Sequence, residues 1–375
     1  MRRVYLDYNA STPIDPAVVA AMRPFLEDAY GNLSSGHWAS QPAREAVENA
    51  RTQVAELLGC SAGEIVFTSG GSEANNQALK GVAFALRDKG DHIVTSTVEH
   101  PAILSPCAFL SKLGYRTTYV PVDRFGRVDP DDVRRAITPK TILVSLMHAN
   151  NEVGTIEPIA EVSRITRERG VLLHTDAAQS VGKIETHVDA LGIDLLTIAG
   201  HKLYAPKGVG ALYVRRGTPL EPLIHGAGHE GGKRAGTESA LLATALGAAA
   251  SLARDLAAME ITRALRDRFW DGLQSRFGDR VTLNGHPEQR LPNTLNVSFV
   301  GKVGAEILAQ LDGVAASTGS ACHSGRVELS PVLKAMNVPP EVGMGAIRFS
   351  LGRGTTQHEI DAVVEGLDSA IAAMA

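Results

Sequence analysis

Cysteine is scarce in this 375-residue chain: Cys60, Cys107 and Cys322 are all it has. An odd count without metal-ligand spacing excludes a disulfide framework and fits a reducing, cytoplasmic setting. Long apolar runs are missing too. None approaches the roughly 18 residues a membrane span needs, so no membrane segment is expected. The basic start Met1-Arg2-Arg3 leads into no hydrophobic signal region, so no secretory leader is expected either. Charge of one sign is also lacking: the net is −4. The basic pairs Arg134-Arg135 and Arg215-Arg216 stand isolated, so nucleic acid and anionic membranes are not expected partners. No His/Cys/Asp cluster has metal-ligand spacing, so no metal is expected. There are no internal repeats and no low-complexity tract.

What remains is an ordinary globular balance, 44% hydrophobic and 21% charged, in a chain long enough for one large domain and a smaller one. Apolar runs alternate with helical patterns, which predicts an α/β protein with a mostly parallel sheet. Asp15-Pro16 opens a helix. Ser40 caps another, which Gly59 ends. Strands are expected at 65–67, 92–96, 117–122, 141–147, 171–174, 195–198 and 210–214, with helices between them, such as 73–86 and 159–169. From about Leu241 the alternation gives way to one long Ala/Leu/Arg-rich helical stretch toward Phe277. Shorter strands follow at 294–299 and 347–350, with helices at 305–311 and 357–373. Thr356 and Glu359 have capping-box spacing. The expected division is a large domain over 16–255 and a small α+β domain of 1–15 with 256–375. The glycine-rich segment 226–236 is the one expected to be mobile.

The strongest chemical signal is Asp176, in His174-Thr175-Asp176-Ala177-Ala178-Gln179, with Lys202, in Gly200-His201-Lys202. Each ends or follows an apolar run. A pyridoxal phosphate (PLP) enzyme needs this pair: a lysine amine to form a Schiff base with the cofactor aldehyde, and a carboxylate to keep the pyridine nitrogen protonated. Singly, Asp176 reads as a strand-end cap and Lys202 as a surface lysine. A lysine between apolar runs, after His201, suits a desolvated amine of lowered pKa. Ser69-Gly70-Gly71-Ser72 lies between a strand and a helix, as a plain turn or as a phosphate site. His100 follows a strand, where it can stack on a ring or serve the core. His37, His92, His148, His187, His286 and His358 read as structural. Cys322 lies in a small, polar segment beside His323, a candidate reactive thiol or an incidental loop cysteine. Arg348, inside an apolar strand, needs a partner: a substrate carboxylate or an internal Asp or Glu.

Taken together, these residues resemble the NifS/IscS-like cysteine desulfurases, PLP-dependent members of the class V aminotransferases. Their fold is type I, aspartate aminotransferase-like: a large domain with a mostly parallel sheet plus a smaller α+β domain. The resemblance runs nearly end to end. It includes Tyr5-Leu6-Asp7-Tyr8-Asn9-Ala10-Ser11-Thr12-Pro13, Phe67-Thr68-Ser69-Gly70-Gly71-Ser72-Glu73-Ala74-Asn75-Asn76, Val98-Glu99-His100, Asn150-Asn151-Glu152-Val153-Gly154 and the segments 174–179, 200–202, 226–237, 319–324 and 348–353.

The resemblance implies that Lys202 carries PLP, Asp176 pairs with the ring nitrogen, Gln179 bonds the ring hydroxyl and His100 stacks on the ring. Gly71, Ser72 and His201 would hold the phosphate. Thr237 would reach the phosphate of the partner subunit's cofactor, so a homodimer is implied. Asn151 and Arg348 would hold the substrate carboxylate. Lys202, Cys322 and His100 would be the catalytic set. L-cysteine would become L-alanine, with sulfur left as a persulfide on Cys322 and passed to an acceptor protein.

Three departures stand out. Ala199 occupies the place of a serine two residues before His201, so one phosphate hydroxyl is lost. Cys322-His323-Ser324-Gly325 replaces the Cys-Thr-Ser-Ala of the housekeeping enzymes and looks more like the selenocysteine lyases. The chain stops at Ala375, where housekeeping members carry a longer tail that docks an iron–sulfur scaffold, which leaves that partner open. Two alternatives follow: a selenocysteine lyase acting on L-selenocysteine and, more distantly, a PLP aminotransferase, which needs no cysteine nucleophile.

Overall fold

The computed structural model describes residues 3–318 and 328–374. The Cys322 segment therefore lies outside the described residues. The strands are β1 (Val4–Tyr5), β2 (Ile65–Thr68), β3 (His92–Ser96), β4 (Arg116–Val120), β5 (Thr141–Met147), β6 (Leu172–Asp176), β7 (Leu195–Ala199), β8 (Gly210–Val214), β9 (Val281–Asn284), β10 (Thr294–Phe299), β11 (Val314–Ala315) and β12 (Ala346–Ser350).

Seven of them form one sheet in the order β2-β8-β7-β6-β5-β3-β4. The ladders from β7 to β4 are parallel, while β8 runs antiparallel to both β7 and β2. Helices cover both faces, so every residue of β3, β5, β7 and β8 is buried. A strand buried on two faces cannot alternate polar with apolar, which is why these segments read as near-continuous apolar runs. One consequence positions the site. Parallel strands end on the same side, so the chain after β2, β3, β5, β6 and β7 emerges along one rim, where α/β sheets bind ligands.

A second layer is built from the antiparallel sheet β12-β10-β9 and the parallel pair β1-β11. Val4 and Leu6 pack with Phe269, Leu273, Phe349 and Leu367 in one apolar cluster. The Phe269 and Phe349 rings meet edge to face at 5.0 Å, a favoured aromatic geometry. The N-terminal strand thus belongs to the C-terminal layer. Residues 7–9 then carry the chain across to the rim of the large sheet, where Tyr8 N–H donates to the Ser350 carbonyl.

Several local expectations hold for the physical reasons given. Asp15 accepts from Ala17 N–H at 2.8 Å and starts the Pro16–Met22 helix. Gly59, at φ 67°, ends the Gln41–Leu58 helix in the left-handed region that glycine tolerates. Thr356 and Glu359 form a reciprocal capping box on the Gln357–Ala373 helix.

Others need correction. Ser40 does not cap its helix with its side chain. Its hydroxyl donates back to the Ser35 and His37 carbonyls at 2.7 Å each, because it closes a short 3-10 turn. The long stretch toward Phe277 is two helices, Ala240–Ala253 and Ala257–Phe277, bent by 71°. Asp255 accepts from Ala257 N–H and starts the second. The bend takes the chain from the large sheet's layer to the small one's. Among the described residues, no single helix is long and apolar enough to cross a membrane.

The segment 226–236 is tied at three points. Glu230 pairs with Arg51 at 2.7 and 3.0 Å and also accepts from Phe67 N–H. Arg234 pairs with Glu73 at 2.9 Å. Gln77 donates to the Lys233 carbonyl. Its glycines serve sharp turns in a pinned segment. The Arg51–Glu230 pair is nearly water-free, so removing one partner strands a buried charge. Glu230→Ala is expected to cost about 3 kcal/mol or more, read as a lower denaturant midpoint, with faster amide exchange confined to 226–236.

Candidate active site

The rim of the large sheet encloses a cavity of about 660 Å³. Its walls come from the ends of β5, β6 and β7, from the loops beside them and from Arg348 on β12. β6 delivers Asp176, whose carboxylate is held from two sides. Asn75 Nδ2 donates to Oδ2 at 2.7 Å and Ala178 N–H donates to Oδ1 at 2.9 Å. Asn75 is a buried residue of the Gly71–Ala85 helix, and its Oδ1 has no donor among the described residues. Two donors, one on each carboxylate oxygen, fix where it points.

β7 leads to Lys202, whose Nζ lines the same cavity and donates to the Asn9 carbonyl at 2.8 Å. Burial pulls the Lys202 amine down to about 8. Asp176 pushes back, and Arg348 lowers it further. A neutral amine is therefore accessible near physiological pH, as covalent capture of an aldehyde requires.

His100 sits on the wall after β3. Its Nδ1 accepts from Ala102 N–H at 3.0 Å, which caps the Pro101–Ser111 helix. The neutral ring then carries its proton on Nε2. Burial lowers its pKa, with Asp176 opposing and Lys202 adding to the fall. This neutral, flat ring with a defined tautomer can stack. The helix-capping bond was not foreseen from the sequence, where His100 was a strand-end residue.

At the far end of the cavity, Gly70 (φ 149°) turns the chain into the Gly71–Ala85 helix. The N–H groups of Gly71, Ser72 and Glu73 bond no described residue. A Cβ on Gly71 would stand 3.1 Å from the Ala199 Cβ, a tight contact, so glycine lets the turn lie close to β7 without pushing on it. Free N–H groups at the start of a 15-residue helix form an anion site. Burial alone would raise the Glu73 carboxyl in this first turn, but bonds from Arg234 and from Ser69 N–H outweigh it and hold Glu73 low. His201 is brought down to about 4 by burial and by Lys202 and Lys207, so it is a neutral ring here. Ala199 offers only a methyl group, while Lys207, exposed and unassigned in the sequence reading, opens onto this end.

Gln179 lines the wall and donates from Nε2 to the Asn9 carbonyl at 3.1 Å. Arg348 gives one N–H to the Asn151 carbonyl at 3.0 Å and another to Asp7 Oδ1 at 2.8 Å. The internal carboxylate considered for Arg348 is thus real, and it is Asp7. Its Nε has no partner among the described residues. A guanidinium has five N–H donors, so Asp7 leaves room for a second carboxylate beside Asn151.

Thr237 is not on this cavity. It is exposed and lines a neighbouring one of about 180 Å³, which shares Ser69, Gly208 and Val209 with the first. The sequence reading missed Asn9 and Asn75 as individuals, although both lie in the motifs it quoted. Nothing in its composition or spacing pointed to Lys183, discussed below. His92 bonds Thr141 and Thr118, and His148 bonds Ser180, both structural.

An anion site at one end, an aimed carboxylate at the other and a neutral-prone amine between them fit a phosphorylated pyridine aldehyde. Comparison with known proteins gives the family. The family model described as aminotransferase class-V matches residues 4–363. A cysteine desulfurase IscS of Dictyoglomus turgidum is 52% identical over 374 residues, 99% of this chain and 95% of that protein. Among solved structures, a NifS-like protein superposes with a TM-score of 0.92 at 36% identity, covering 99% of each chain. A structure titled SspA in complex with cysteine gives 0.84 at 35% identity, covering 94% of this chain and 99% of that one.

The electrostatics of the site predict its titration. Without cofactor, Lys202 should titrate near 8 in ¹³C-reductive-methylation NMR. Asp176→Asn should lower that value, because Asp176 is the charge that favours the ammonium. A rise would contradict the arrangement.

Proposed function

This chain belongs to the class V aminotransferase family, and within it we propose that it is a PLP-dependent cysteine desulfurase, converting L-cysteine to L-alanine and passing the sulfur to an acceptor. The observation that carries this reading is one cavity that holds an amine of lowered pKa, an aimed carboxylate and an arginine with donors to spare. The high identity to a protein named cysteine desulfurase supports it.

Bound PLP supplies an electron sink that makes the α-proton of an amino acid acidic. Lys202 holds the cofactor and then, as a free amine resting on the Asn9 carbonyl, takes up the α-proton. Asp176 keeps the ring nitrogen cationic. Gln179 bonds the ring hydroxyl, and His100 stacks on the ring. Gly71, Ser72 and His201 bind the phosphate, with Thr237 serving the partner subunit's site in a homodimer. Asn151 and Arg348 orient the substrate carboxylate. Cys322 is the nucleophile. Its thiolate attacks the substrate sulfur, an S–S bond forms and the substrate C–S bond breaks. The electron pair stays on Cβ, which takes a proton to become the methyl group of alanine. Cys322 keeps the sulfur as a persulfide until an acceptor thiol removes it.

We divide the chain into a large domain over 16–255 and a small one of 1–15 with 256–375, the latter carrying the cysteine segment; the cluster that joins Val4 and Leu6 to Phe269, Phe349 and Leu367 supports grouping the N-terminal strand with the C-terminal part. We place the enzyme in the cytoplasm, on its few cysteines. The sequence Cys322-His323-Ser324 favours selenocysteine lyase as the second reading.

Incubation with L-cysteine and a thiol reductant should yield equimolar alanine and sulfide, both lost in Cys322→Ala. Faster turnover of L-selenocysteine than of L-cysteine would favour the lyase. Full amino-acid turnover in Cys322→Ala would favour the aminotransferase. Thr237→Val should weaken PLP binding about tenfold, the loss of one hydrogen bond to a charged group, in a protein that sediments as a dimer. Unchanged affinity would remove Thr237 from the site.

A further inference from the structure

Lys183 stands behind the cavity wall, buried, and has no part in the reaction described above. Its Nζ donates to two carbonyl oxygens, Gln179 Oε1 at 3.0 Å and Asn9 Oδ1 at 3.2 Å. Burial drives its pKa well down, and Lys202 and Arg348 add to the fall. Each of these two acceptors takes one N–H of the amine.

The consequence falls on Gln179. A primary amide can turn by half a circle with little change of shape, exchanging a donor for an acceptor. Here both ends are determined. Oε1 faces Lys183, and Nε2 faces the Asn9 carbonyl at 3.1 Å. Turning the amide would set Oε1 against that carbonyl, oxygen against oxygen with no hydrogen between them. Asn9 cannot adapt. Its Oδ1 also accepts from Asn293, its Nδ2 donates to Thr294 Oγ1 and the Asn151 carbonyl, and its own carbonyl also holds Lys202. One N–H of Gln179 is taken by Asn9, and the other is left for the cavity.

We propose that Lys183 is a positioning residue that keeps the Gln179 amide turned N–H outward, so that the ring oxygen of bound PLP always meets a donor. This rests on the reading that PLP lies here with its hydroxyl at Gln179. A donor at that oxygen stabilises its anionic form and weakens its hold on the neighbouring proton. The pH at which the visible band of the holoenzyme changes is thereby kept low. The charged and titratable groups around the network are Lys202 and Arg348, which face Lys183, Asp7 and Asp176, which face Lys202, and His100 and His201 on the wall. Gln179 bonds none of these.

The test is a pH titration of the visible absorbance of the holoenzyme. Lys183→Met removes the donor and should raise the midpoint by about one pH unit, a tenfold change in proton affinity. Lys183→Gln keeps a polar head in place, which guards against loss of folding. Its amide accepts as readily as it donates, so it should shift the midpoint the same way. In a Gln179→Ala background neither change should move the midpoint further, because Lys183 acts through Gln179. A wild-type midpoint in either folded single variant would overturn the proposal. So would a shift that persists without Gln179. A wild-type protein that shows no visible band with PLP would instead sink the cofactor reading itself.

Discussion

Everything in the site is arranged around one carbonyl oxygen, that of Asn9. It accepts from Lys202 at 2.8 Å and from Gln179 at 3.1 Å, so it sets where the reactive amine rests and how the neighbouring amide is turned. A backbone oxygen can do this only if the backbone cannot move. Asn9 is 1% exposed, its side chain has all its hydrogen-bonding positions filled, and its N–H donates to Ser350 Oγ on β12. The N-terminal segment is clamped at the junction of both layers, and the site's geometry depends on that clamp.

The charges are sorted along the cavity. Asp176 at one end is held as an acceptor by Asn75 and Ala178. At the other end, helix N–H groups with no acceptor among the described residues and Lys207 offer positive potential, with Glu73 neutralised by Arg234. Between them Lys202 is desolvated enough to sit near 8. Proximity to Asp176 keeps it from falling further, and proximity to Arg348 keeps it from rising. An amine poised this way can carry a proton and give it up within the physiological range. Ala199 contributes only a methyl group to this end of the cavity.

Much of this was legible in the chain. The alternation of apolar runs with helical patterns predicted the parallel sheet; that Asp176 and Lys202 share a rim is the structure's finding, because parallel strands all finish on one side. Helix boundaries with a local chemical cause, such as Asp15, Gly59 and Thr356, were readable as well. The break after Ala253 was not. Both flanks have helical composition, and only the separation of the two layers demands a bend there. Segment 226–236 looked loose because glycine signals turns. The anchors on Glu230, Arg234 and Lys233 lie on residues distant in sequence, from Arg51 to Gln77.

The amino-acid sequence by itself determined the fold class and the family, because the first follows from local periodicity and the second from ordered motifs along the chain. Only the tertiary structure decided what state the site's side chains are in. The lowered amine of Lys202, the tautomer of His100, the Asp7 partner of Arg348 and the orientation of Gln179 each arise from contacts between segments far apart in the chain. Burial and hydrogen-bond direction are properties of that assembled environment, and no residue carries them alone.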